Sequence, residues 1–380
     1  MKNIKEKRLL PLLKWAGWKE QELKYIHSAM PEKFNNFYEP FVWWWAVYFS
    51  LNAKKYFIND KSEELSWLYK IIISNERDDF FKVIDELIHN WKILWDILND
   101  NNIFFLNLYK NFSSSKINED EIKNKIIEFI LSHTKEFNWM FEVNFNKSIK
   151  NFISEIEKNL IRKTKRMKIL EEKKWKLCDK DILDNIESAF KSAFYMNFRY
   201  LYNNKEKYNL RKSFRIAIFL FIRNYAYSWM FRYNKAGDFN VPYGWIWYNN
   251  KNFKKKIDYL KSKELREHLE QTKIENLDFE DFFIKNEPKK DDFIFLDPPY
   301  DSAFSTYDKN TFDRTDQTRL ANYLIKNCKA KWMMVIKNTD FIFDLYNKKG
   351  LKIQTFDKKY LVSFMDRNDK DVQHLLITNY

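Results

Sequence analysis

Glycine is almost absent from this chain. Folded proteins place glycine wherever the backbone takes a positive φ or must approach another group closely. An average share of about 7% would put roughly 27 glycines in a chain of this length. The sequence has 4 in 380 residues, alongside 14 tryptophans. Either the fold holds few such positions, or another residue type stands at them. The remaining composition, 45% hydrophobic and 32% charged, is that of a globular chain and excludes disorder. Apolar runs such as Ile216–Ile222 are too short to cross a bilayer, and no secretory leader is read, so a cytoplasmic location without a membrane partner is expected. Two cysteines, Cys178 and Cys328, exclude a disulfide scaffold, and the five histidines show no ligand spacing, so no metal is expected. The net charge of +14 favours a polyanionic partner.

The two ends of the chain read differently from its middle. Phe37–Val42, a helical stretch at Ala46–Ala53, and Lys55–Asp60 follow the strand, helix, strand grammar of a parallel sheet. From about residue 71 the pattern turns helical. Phe80, Ile84, Leu87, Trp91 and Trp95 fall at helical spacing over 78–97, residues 116–175 are lysine-rich and mostly helical, and 214–231 reads as a buried helix. Within the lysine-rich part, Arg162, Lys163, Lys165, Arg166 and Lys168 form a basic cluster, either a solvated helix face or a phosphate-binding strip. Strands return at Phe293–Leu296, Trp332–Ile336, Leu351–Phe356, Tyr360–Phe364 and Gln373–Thr378. The simplest architecture is one doubly wound α/β sheet built from 1–70 and 286–380, with 71–285 inserted as a largely helical domain.

Phe293–Leu296 ends in Asp297-Pro298-Pro299-Tyr300. Ligands of open α/β sheets bind beyond the carboxyl ends of the strands. An acid followed by two prolines makes a rigid platform with few backbone donors. It offers a carboxylate, a proline carbonyl and an aromatic face together. Those groups suit a planar base that carries an amino group, although an ordinary turn after a strand is the plainer alternative.

Four further segments accompany it: LKWAGWK at 13–19, YEPFVWWWAVYF at 38–49, Asp60 at a strand end, and FRYN at 231–234 followed by GDFNVPYG at 237–244. In this order, with the C-terminal RNDKDVQHLLITNY, they resemble the Dam-like, alpha-class (D12) adenine-specific DNA methyltransferases of the restriction-modification type. The resemblance covers both ends and the hairpin, and it is weak over 71–210. It implies a Rossmann-like methyltransferase sheet with an inserted target-recognition domain. It also implies S-adenosylmethionine as cofactor, with Trp15, Lys19, Glu39, Phe41, Asp60 and Asp297 around it. Asp297 and the carbonyl of Pro298 would accept from the target amino group, and Tyr300 would stack on a flipped adenine. Arg232, Asn234, Asn240 and Tyr243 would face double-stranded DNA, with Arg232 reading a base edge or holding a phosphate. The resemblance of this hairpin implies GATC as the target, a restriction endonuclease acting on the same site is the implied companion, and a monomer is the default state. A catalytically dead DNA-binding relative and an RNA or small-molecule methyltransferase are the competing readings.

The family carries glycine where this chain has Trp18, two or three of Trp43–Trp45, and Trp245. Trp139, Trp229 and Trp247 also stand where glycine would be unremarkable. A gene that reads UGA as glycine, translated with UGA as tryptophan, produces this coincidence. Decay of an inactive relative is the rival account, and the codons at 43–45 decide between them.

Overall fold

The computed structural model describes residues 4–5, 9–13, 23–42, 46–139, 148–230, 232–248, 252–300, 312–359 and 371–380. The chain begins with α1 (Leu23–Ala29), β1 (Phe37–Glu39), α2 (Ala46–Ser50), β2 (Tyr56–Asn59) and α3 (Glu63–Lys70). A helical series follows: α4 (Arg77–Asp100), α5 (Asn102–Ser113), α6 (Glu119–Ser132), α7 (Thr134–Trp139), α8 (Ile149–Lys173), α9 (Asp179–Asn203), α10 (Lys212–Tyr225) and α11 (Phe253–Lys261). Then come α12 (Lys263–Glu270), β3 (Thr272–Glu275), α13 (Phe279–Asn286), β4 (Phe293–Leu296), α14 (Arg314–Asn322), β5 (Lys331–Lys337), α15 (Asp340–Tyr346), β6 (Lys352–Lys359) and β7 (Asp371–Thr378). Two compact units result, one of residues 1–75, 231–233 and 258–380, the other of 76–230 and 234–257.

The first unit holds a seven-stranded sheet in the order β3-β2-β1-β4-β5-β7-β6. β3, β2, β1, β4 and β5 run parallel, and β7 pairs antiparallel with both β5 and β6. Parallel strands covered on both faces read as continuous apolar runs, and FIFL of β4 is buried at every position. The order reverses between β1 and β4, the switch point at which doubly wound sheets bind ligands. Asp292, 2% exposed, fixes the start of both strands by accepting from the backbone N–H of Asn36 at 3.1 Å and of Lys289 at 2.9 Å. Arg319 of α14 donates to Asp278 and Glu280 at the start of α13. Those contacts and the capping box of Asp313 and Asp316 hold α14 in place.

β3 corrects the expected domain boundary. Thr272-Lys273-Ile274-Glu275 pairs in parallel with β2, so 258–285 belongs with the sheet and not with the insert. The segment is short, polar and at the sheet edge, where one face needs no apolar partner. The expected strand Tyr360–Phe364 lies outside the described residues.

The second unit is helical. Phe80, Ile84, Leu87, Trp91, Leu94 and Leu98 form the buried stripe of α4, as the periodicity predicts. Trp95, assigned to the same stripe, is instead 45% exposed. The expected helix over 214–231 stops at Tyr225, where Ala226 turns extended and pairs with Tyr243. The lysine-rich stretch divides among α6, α7 and α8. α6 starts at a capping box in which Asn118 and Glu121 bond each other's backbone, which satisfies two N–H groups at the helix start.

Candidate active site

Four adjacent parallel strands end in acidic residues at one edge of the sheet. Glu275 closes β3, Asp60 follows β2, Glu39 closes β1 and Asp297 follows β4. Glu39 is 2% exposed, and Asp60 and Asp297 are 6% exposed. Glu275 lies beside Lys285 at 3.1 Å and Lys273 at 3.6 Å, so its charge is compensated within the edge.

Asn59 holds the loops of this edge together. Its side-chain amide donates to the carbonyls of Pro40 at 3.1 Å and Leu277 at 3.0 Å, and its oxygen accepts from the Leu277 N–H at 2.9 Å. Asp60 sits beside it in a side-chain turn. One carboxylate oxygen accepts from the Ser62 N–H at 2.7 Å, and Ser62 caps α3. Glu39 and Asp297 flank the switch point, on the adjacent strands β1 and β4. Trp15 and Lys19, and Trp18 with Trp43–Trp45, lie outside the described residues.

The Asp-Pro-Pro-Tyr platform is held by two side chains that sequence reasoning missed. Gln317 of α14, fully buried, donates to the carbonyl of Pro299 at 2.7 Å. His374 of β7, also fully buried, places Nε2 at 3.2 Å from the hydroxyl of Tyr300. The His374 ring meets Tyr300 edge-on at 5.7 Å and lies 5.8 Å from Phe356. Both supports come from remote segments, and no local pattern marks them. Pro298 is buried and Tyr300 partly exposed. Phe41, expected at the cofactor, packs its ring against Phe279 and Phe312 at 5.7 and 5.4 Å. That ring belongs to the core beside the sheet.

In the helical unit, the segment 234–244 folds back on itself. Asn234 accepts from Asp238 N–H with its side chain at 2.9 Å, and Gly237 takes φ 81° in the turn. Asn203 of α9 exchanges two hydrogen bonds with the backbone of Phe239, and Tyr195 and Arg199 both donate to the carbonyl of Val241. Asn234 is exposed and Asn240 partly so. Tyr243 is not presented to solvent. It is 4% exposed, with its ring among Trp91, Tyr195, Tyr225 and Tyr248, and burial raises its phenol well above the usual range. The large apolar ring is worth more in that core than in solvent. Arg232, described within the sheet unit, is exposed.

The edge of acids tests which cofactor fits. Carboxylates there suit ribose hydroxyls, an ammonium group and a sulfonium centre, and they repel phosphate. The residues present therefore fit S-adenosylmethionine in charge and in donor set. Among the described residues, no cluster of histidine, cysteine or acidic side chains could hold a metal ion, and no helix is long and apolar enough to cross a membrane.

Comparison with known proteins gives the same direction. Over 388 residues the chain is 27% identical to the Type II methyltransferase M.MjaIII of Methanocaldococcus jannaschii, covering 97% of this chain and 99% of that protein. It is 37% identical over 165 residues to the Type II methyltransferase M.CviBI of Paramecium bursaria Chlorella virus NC1A, covering 43% of this chain and 60% of the viral protein. It is 29% identical over 157 residues to the retron Ec67 DNA adenine methylase of Escherichia coli, covering 40% of this chain and half of that protein. Residues 15–184 and 174–362 match the D12 class N6 adenine-specific DNA methyltransferases, and with this sheet order and this acidic edge the chain belongs to that family.

Proposed function

We propose that the chain transfers a methyl group from S-adenosylmethionine to the exocyclic amino group of an adenine flipped out of a specific duplex DNA site. The observation that carries this reading is the Asp297–Tyr300 platform, set beyond β4 at the switch point and held by Gln317 and His374. When bound, the cofactor supplies a methyl group on a positively charged sulfur. Asp60 would accept from the ribose hydroxyls and Glu39 would face the methionine end, with Trp15 and Lys19 contributing as the resemblance implies. Asp297 accepts one N–H of the target amine, and the carbonyl of Pro298 accepts the other. Two acceptors on one amine leave its lone pair more available for attack, so no covalent enzyme intermediate is required. The Tyr300 ring stacks on the base. Extruding that base costs a few kcal/mol of unstacking and unpairing, which stacking and the two hydrogen bonds offset. Arg232 and the turn at Asn234 and Asn240 contact the duplex. GATC is the proposed target, and a paired endonuclease would cut the same site.

The test is transfer of labelled methyl from S-adenosylmethionine to unmethylated duplex DNA. It uses the chain as written and a version with glycine at 18, 43, 44, 45 and 245. Sequencing of modified sites in a host lacking adenine methylation follows. Methyl-adenine at one short motif supports the reading. Transfer to RNA in preference to duplex DNA, or none from either chain, overturns it.

A further inference from the structure

The basic cluster of α8 divides between two faces. Lys165 pairs with Glu119 of α6 at 2.6 Å, and Lys168 donates to the Phe112 carbonyl and to Ser115 at 3.1 and 2.8 Å. Those two lysines tie α8 to its helical neighbours. Arg162, Lys163 and Arg166 turn the other way, into a cleft of about 370 Å³ between α8, α9 and the segment 242–245.

No described carboxylate lies within ion-pair reach of these three cations. The one carboxylate among the described lining residues, Glu155, sits 3.7 Å from Lys158 and accepts from Asn159 at 3.2 Å. Asn159, 4% exposed, accepts from Arg162 at 2.7 Å and from Ser192 at 3.1 Å, which sets the guanidinium in place. Arg166 rests its guanidinium 5.5 Å from the Trp245 ring. Half-buried between two arginines, the Lys163 ammonium is pushed down to about 8 by burial first and by its charged neighbours second. Three close cations of this kind repel one another and destabilise the fold unless an anion joins them. The cleft wall also includes Pro242, from the anchored segment that follows the hairpin turn.

We propose that this cleft is a docking groove for the sugar-phosphate backbone of duplex DNA, with Arg162, Lys163 and Arg166 as its phosphate-contacting cations. The proposal rests on the reading of this chain as a DNA methyltransferase and adds phosphate contacts from α8 to those of the exposed hairpin turn. Guanidinium groups bind phosphate oxygens in a bidentate fork, and each neutralised phosphate releases counterions.

The experiment measures binding of the full chain to an unmethylated duplex of mixed sequence over a range of salt concentrations. The Arg162→Gln/Lys163→Gln/Arg166→Gln variant should lower the slope of log affinity against log salt by about two to three. A Lys165→Gln/Lys168→Gln control, on the other side of the same helix, should change it by less than about one. If the triple variant fails to fold, Arg162→Gln and Arg166→Gln singly, both at exposed side chains, should each lower it by about one. An unchanged slope in folded variants, or an equal fall in the control, overturns the cleft while leaving the functional reading intact. Duplex RNA competing as well as duplex DNA overturns the choice of ligand. A parent chain that binds no duplex at low salt overturns both readings.

Discussion

Trp245 takes φ 69° with its ring 51% exposed. Left-handed backbone costs a residue with a Cβ about 1–2 kcal/mol, and only glycine is relieved of it. The indole gains something in return, from Arg166 at 5.5 Å and Tyr227 at 6.2 Å. An exposed cation–π contact is worth about 0.5–1 kcal/mol. Trp245→Ala and Trp245→Gly both remove those contacts, so comparing the two isolates the backbone. At a position of ordinary φ, alanine exceeds glycine by about 0.4–1 kcal/mol through the entropy of the unfolded chain. Here the left-handed penalty reverses the order and leaves glycine ahead by about 1 kcal/mol. The parent and the glycine variant should lie within about 1 kcal/mol of each other, since relief of strain offsets the lost contacts. Thermal unfolding reads the difference as about 2–4 °C for a unit of this size. Alanine equal to or more stable than glycine would refute the argument that position 245 is built for glycine. A glycine preference there, together with UGA codons at 43–45, would assign the tryptophan surplus to decoding.

Asp297→Ala should lower methyl transfer by about two to three decades while duplex binding survives, and a loss below tenfold would remove Asp297 from its role. Arg232→Ala should weaken discrimination at one base pair by roughly 1–3 kcal/mol; equal weakening of all sequences in salt-dependent binding would make it a phosphate contact instead. Tyr300→Phe and His374→Leu should each lower kcat/KM about five- to tenfold, the worth of one hydrogen bond, and the double variant should be no worse than either, so additive losses would show that the two do not act together. His268, 6% exposed beside Lys5 at 3.1 Å, is pushed down from 6.5 to about 3, by burial first and Lys5 second. It stays neutral in the fold while the unfolded chain takes up its proton, so stability is present above about pH 6.5 and falls as pH drops toward 3. His268→Gln should flatten urea-measured stability over that interval, and an unchanged slope would exclude this histidine as its source.

Much of the sheet was legible because it depends on local pattern. FIFL, WMMVI and the YFIND segment are short apolar runs, and a parallel strand covered on both faces must be apolar along its length. Asp297 directly follows FIFL, Asp60 ends YFIND and Glu39 closes β1, so their place at one edge comes with the strand assignment. α4 was legible for the same reason, through its 3.6-residue period. β3 was not, because an edge strand of four mixed residues carries too little burial to set a period, and the domain boundary moved with it. The sequence motif around the hairpin names residue types but not which way each ring turns. Tertiary packing decided that Tyr243 and Phe41 go to the core, because a ring that removes apolar area from water is more stable there. The basic cluster shows the same division. Five cations on one helix look alike in sequence, and only the neighbouring helices determine that Lys165 and Lys168 find partners while Arg162, Lys163 and Arg166 face a cleft. His374 and Gln317 reach the Asp-Pro-Pro-Tyr platform across 74 and 18 residues of chain. Contacts at that separation exist only once the sheet has closed, so no local signal records them.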